Sequence, residues 1–157
     1  MNKNIPLIDE RVNLEDALRK NDFVIWKCKG VSMRPFIQGG KDLVILEKID
    51  TTPNPYEVVV YRIHEQTELN GDKYVLHRML RKEGNTYVIL GDNCVTLEYV
   101  PEDRVIAVMK GIVRNGKELD LNSLKYQLYK QVWVKPWRVR VLLLKVRNKI
   151  HRFKNKG

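Results

Sequence analysis

The stretch KYVLHRMLRKEGNTYVILGDNC, residues 73–94, contains two runs of aliphatic, aromatic and β-branched residues around the tetrad KEGN. Such runs favour strands, and a Gly-Asn pair between them suits the tight backbone of a hairpin. Similar runs continue outward: FVIWKCKG (23–30), DLVILEKI (42–49) and YEVVVYRIHE (56–65) upstream, DRVIAVMKGIVR (103–114) and KELDL (117–121) downstream. Asn115-Gly116 between the last two fits a type I′ turn. Many short strands broken by Gly, Pro, Asn and Asp predict a compact, mostly β, mostly antiparallel fold rather than alternating βα units. One short helix precedes them. NLEDALRK (13–20) has Asn13 as N-cap, acids in its first turn, bases in its last, and Leu14, Ala17 and Leu18 on one face.

A chain of 157 residues can bury one substantial core, so a single β domain over residues 1–121 is expected, followed by an appendage over 122–157. Its formal charge of +10 is unevenly placed. From Lys125 to Gly157 there are 11 Lys or Arg and no Asp or Glu, which leaves 18 basic against 19 acidic residues upstream. The body is nearly neutral and the tail is cationic. The N-terminal stretch lacks the apolar segment of a signal peptide, and no run approaches the roughly 18 apolar residues that a spanning helix needs. A cytoplasmic location is therefore expected. Cys28 and Cys94 have no metal-type spacing and are too few for a disulfide framework, so both are read as reduced, and no metal or cofactor is expected.

Three polar features fall at the ends of the predicted strands: Ser32 in GVSMRP, His77-Arg78 in YVLHRML, and Gly91-Asp92-Asn93 in YVILGDNC, with Glu98 six positions after Asp92. A serine hydroxyl is a weak nucleophile at neutral pH. It needs a base within hydrogen-bond reach and a third group that fixes the tautomer of that base. Ser32, His77 and a carboxylate would supply those roles.

Taken in order, GVSMRPFIQGGKDLVIL, YVLHRML, YVILGDNC and DRVIAVMKGIV resemble the boxes of the signal peptidase I and LexA-type serine peptidase superfamily, from about Lys29 to Val113. Position 77 is histidine, where the bacterial signal peptidases and LexA-type repressors use lysine, so the resemblance is to the Ser-His branch typified by endoplasmic-reticulum-type signal peptidases. Histidine already titrates near neutrality, whereas a lysine base must be desolvated to lower its pKa by several units. The resemblance implies a signal peptidase/LexA-type β fold and a serine endopeptidase. Ser32 would attack the scissile carbonyl, His77 would carry the proton, and either Asp92 or Glu98 would orient His77. It also implies a substrate and oxyanion set of Gly30, Ser32, Met33 and Arg78. The Ser32 backbone N–H is the natural oxyanion donor, Met33 packs beneath the nucleophile, and Arg78 either binds a carboxylate of the site or caps its strand. Cys94 reads as buried filling, and His64 and His151 as surface residues. The alternative is a non-catalytic peptide- or partner-binding module on the same scaffold.

Signal peptidases are normally held by transmembrane helices, and none is evident here. The tail SLKYQLYKQVWVKPWRVRVLLLKVRNKIHRFKNKG, residues 123–157, reads as helical on both sides of Pro136. Its aromatic and aliphatic residues, from Tyr126, Tyr129 and Trp133 to Leu144, alternate with Lys and Arg as in an interfacial helix, the alternative being a helix packed on the sheet with a solvated basic face. The expected partners are a peptide or protein substrate and an anionic membrane surface, and nucleic acid is disfavoured because residues 1–25 are too short to supply the N-terminal helical module through which LexA-type proteins bind DNA.

Overall fold

The computed structural model describes residues 5–8, 13–63 and 74–154. Among these residues the fold is mostly β: one mixed sheet of nine strands with three α-helices. In chain order the elements are β1 (Leu7–Ile8), α1 (Leu14–Lys20), β2 (Phe23–Lys27), β3 (Leu43–Lys48), β4 (Val58–Arg62), β5 (Tyr74–Glu83), β6 (Thr86–Leu90), β7 (Glu98–Pro101), β8 (Val105–Arg114), β9 (Lys117–Glu118), α2 (Leu124–Tyr129) and α3 (Trp137–Lys154). The strands run β1-β2-β3-β8-β4-β5-β6-β7, with β9 paired to β8. All pairs are antiparallel except β1 with β2.

Local sequence accounts for the turns and for α1. The Asn13 side chain caps α1 by accepting from the Glu15 and Asp16 N–H groups, at 3.0 and 3.4 Å. Gly84, at φ +57°, turns β5 into β6, and Asn115 and Gly116, both at positive φ, close the β8–β9 hairpin. The continuous apolar run of β4 has a tertiary cause. Val58 and Val60 face a core shared with α1, β2 and β3, while Val59 and Tyr61 face a second core with Met79, Tyr87 and Ile89. A strand buried on both faces needs no polar alternation. β1 and β7 do not stand out in the sequence, since two- and four-residue strands carry almost no periodic signal.

Pro136 divides the tail, because its ring and missing N–H end regular helix. α2 and one π-helical turn at Lys130–Val134 precede it, and α3 starts at the next residue. Tyr126, Val134 and Leu144 are buried, and Tyr126 and Tyr129 pack on Phe36 of the body, at centroid distances of 4.6 and 5.0 Å. The aromatics expected at a membrane interface are therefore used largely for packing on the sheet domain. Among the described residues no helix is long and apolar enough to cross a membrane. His64 lies outside the described residues.

Candidate active site

Ser32 sits in an irregular loop after β2, half-buried between exposed Val31 and buried Met33. The loop is pinned at several points. Met33 and Ile37 sink into the first core, and the Ile37 N–H donates to the Met33 carbonyl at 3.1 Å. Beyond them, Arg114 at the end of β8 makes a bidentate ion pair with fully buried Asp42, at 2.7 and 2.6 Å, and donates to the Phe36 carbonyl at 2.6 Å. Gly30, at φ +83°, begins the loop in a conformation that favours glycine.

The Gly91-Asp92-Asn93 turn joins this loop to the histidine strand. The Asn93 N–H donates to the Ser32 carbonyl at 2.7 Å, and its side-chain amide donates to the Val31 carbonyl at 3.2 Å. A Cβ on Gly91 would lie 2.6 Å from Cys94 Sγ and 3.0 Å from both His77 Nε2 and the Ser32 carbonyl oxygen. Those last two atoms are therefore no farther apart than twice that distance. Only a residue without a side chain lets the serine loop, the imidazole and Cys94 converge there.

His77 is buried on β5, opposite Val59 of β4. Its Nδ1 lies 2.6 Å from Glu98 Oε2, and Tyr61, two residues along β4 from Val59, donates its hydroxyl to the same oxygen at 2.7 Å. Sheet register explains the contact: β7 pairs with β6 so that Glu98 faces Ile89, which itself faces Met79, two residues beyond His77. Side chains two apart on a strand share a face, so Tyr61, His77 and Glu98 meet on one side of the sheet. Burial alone lowers the His77 pKa. Hydrogen bonds from the ring to Cys94 and Glu98 and the charges of those groups outweigh that and raise it to about 9. Burial pushes the Glu98 pKa upward, but the contacts with His77 and Tyr61 bring it below the ordinary glutamate value. Both shifts favour an imidazolium–carboxylate pair.

Asp92 is not the partner of His77. Its carboxylate is fully buried and is taken up by Arg78 (Nε–Oδ1 2.9 Å, Nη2–Oδ2 2.6 Å), Arg140 (3.1 Å) and the Tyr129 hydroxyl (2.6 Å). Burial raises its pKa, and the two guanidinium groups more than offset this, so it lies below the usual aspartate value. The expectation that Asp92 could orient His77 is corrected on this ground. Arg78 is corrected likewise: it is 1 % exposed and holds Asp92 and the Tyr56 carbonyl, so it has no surface to offer a substrate. It is the carboxylate-binding alternative of the sequence reading, applied to a structural carboxylate. Tyr129, Trp133, whose indole donates to the Asp92 carbonyl at 3.0 Å, and Arg140 tie the tail to this turn.

A cleft of about 250 Å³ opens beside the site, lined by Trp26–Gly30, Ser32, Met33, Tyr74–His77 and Glu98 among others. One wall is a strand edge. Tyr74–His77 pair with β4 on one side, whereas β6 begins its pairing with β5 only at Arg78, so among the described residues their other edge is open. Ser32, His77, Glu98 and Gly30 all border this cleft, and Met33 lines it from the core. Among the described residues Ser32 Oγ makes no hydrogen bond with His77.

No protein-family model matches this chain, and no curated protein matches it. Two participants were missed in the sequence. Tyr61 looked like one more apolar strand residue, and Cys94, expected as buried filling, is only partly buried and sits beside the His77 ring. No spacing rule could single out Tyr61, 37 residues from Glu98.

Proposed function

We propose that the chain is a serine endopeptidase of the Ser-His signal peptidase-like type. The observation that carries the reading is the chain of contacts Tyr61–Glu98–His77, with His77 Nε2 and the Ser32 loop brought together over Gly91 at the edge of an open cleft. Ser32 Oγ adds to the scissile carbonyl carbon while its proton passes to neutral His77. Collapse of the tetrahedral intermediate breaks the C–N bond, and His77 returns the proton to the leaving amine. Water then adds to the acyl-serine by the same route and releases the acid. Glu98 holds Nδ1 so that Nε2 faces the nucleophile, and the Ser32 N–H stabilises the oxyanion. With the His77 pKa near 9, the neutral base grows tenfold per pH unit below that value, so acylation rises with pH up to about 9.

The substrate is a leader or precursor peptide that adds as a strand to the open edge Tyr74–His77, with small residues beside the cut by analogy with the family the chain resembles. The protein acts in the cytoplasm, at or near the inner face of the membrane. The test is a serine-reactive acylating probe on intact protein at pH 6 to 9, read by mass. Labelling of Ser32 that Ser32→Ala and His77→Ala both abolish supports the peptidase. The lack of a Ser32–His77 hydrogen bond favours a second reading, a peptide-binding module that does no chemistry. It predicts no labelling, and extended peptides that bind Ser32→Ala and the parent equally without being cut.

A further inference from the structure

The outer face of α3 has no packing partner among the described residues. At 100° per residue, Val139, Leu142, Leu143, Val146, Ile150 and Phe153 fall within one arc of about 100° along the helix. All six are at least half exposed. Arg140 and Leu144, buried against the body, lie about 110° and 150° round the helix from the centre of that arc. The stripe therefore points away from the Asp92 anchor and is not a core face left over from packing.

Charge decides what covers it. Arg138, Lys145 and Lys149 border the stripe on one side and Arg147 and Lys154 on the other, all exposed. No Asp or Glu occurs from Lys125 to Gly157. A second copy seated on this stripe would set cations against cations on both borders with no acid to relieve them. A nucleic acid would use the cations and leave the apolar stripe in water. A bilayer surface satisfies both features, since acyl chains take the stripe while Lys and Arg stems run up its flanks to anionic headgroups.

We propose that α3 is an interfacial membrane-binding helix that lies flat on an anionic lipid bilayer through Val139, Leu142, Leu143, Val146, Ile150 and Phe153. This surface is distinct from the aromatic residues of α2 and the π-helical turn, which hold the tail to the sheet. It does not depend on the peptidase reading.

The test is co-sedimentation of the full chain with vesicles of phosphatidylcholine alone and with about a third phosphatidylglycerol, at low and high salt. Binding is expected only to the anionic vesicles and falls as salt rises. Each border cation removed should weaken it by about fivefold, so Arg147→Gln with Lys149→Gln should cost about 25-fold. Leu143→Glu with Ile150→Glu should abolish it. Both pairs are exposed, and an unchanged melting temperature would confirm that the fold is intact. No binding to anionic vesicles overturns the proposal, as does full binding by the Leu143→Glu/Ile150→Glu variant. A concentration-dependent dimer lost in that variant would assign the stripe to a second copy, and tighter binding to duplex DNA than to vesicles would assign the cations to nucleic acid. Either result also overturns the proposal.

Discussion

Replacing Glu98 by Gln and, separately, Asp92 by Asn tests which carboxylate serves His77. The His77 pKa stands at about 9 against an ordinary value of 6.5. That difference corresponds to about 3 kcal/mol in favour of the charged ring, and leaves roughly 1 % of it neutral at pH 7. Glu98 contributes through a 2.6 Å hydrogen bond and its charge, and Cys94 contributes as a second hydrogen-bond partner of the ring. Glu98→Gln keeps the shape and removes the charge, so the midpoint should fall by about one unit or more, or roughly 1.4 kcal/mol per unit. Asp92→Asn should leave the midpoint near 9, because Asp92 bonds to Arg78, Arg140 and Tyr129 and not to His77. Its cost falls on stability instead. Two buried guanidinium groups would lose their counter-charge, at about 3–5 kcal/mol. The assay is an NMR titration of the His77 ring, assigned with His77→Ala, beside thermal melts of both variants. A parent midpoint near 6.5, or equal shifts in the two variants, would refute the reasoning. For acylation, Glu98→Gln should slow Ser32 labelling by roughly 10²- to 10⁴-fold despite its larger neutral fraction, because the ring loses its orienting partner.

Gly91→Ala places a methyl 2.6 Å from Cys94 Sγ and 3.0 Å from His77 Nε2, so the turn must move; about 1–3 kcal/mol of stability should be lost, read by denaturant melts, together with Ser32 labelling. Cys94→Ala removes one of the two contacts that raise the His77 pKa, so the same NMR titration should find a lower midpoint, and the pH at which labelling reaches half its maximum should move down with it. The raised His77 pKa also makes a signed prediction for stability. Its contribution is fully present below about pH 6.5 and is lost as pH rises through about 9, so the melting temperature should decline across that window more steeply than in His77→Ala.

Strands β2–β6, β8 and β9, both hairpin turns, the capped N-terminal helix and the break at Pro136 were legible because each rests on local chemistry: β-branched runs, Asn and Gly backbone freedom, an Asn cap, and the missing proline N–H. Ser32 and His77 were legible as candidates because few residue types can act as nucleophile or base. The choice between Asp92 and Glu98 was not, since both are carboxylates placed after a strand, and sequence distance favours neither. It was decided by β7 pairing with β6, which turns Glu98 to the face of His77, and by Arg78 pointing from β5 to the turn where Asp92 is buried. The tail follows the same logic. Its composition determined that it is cationic and amphipathic. Only its docking on Asp92 and Phe36 decided that Tyr126, Tyr129 and Trp133 face the protein while Leu142, Leu143 and Ile150 face outward, because a helix with apolar residues on more than one side is oriented by whichever side finds a partner.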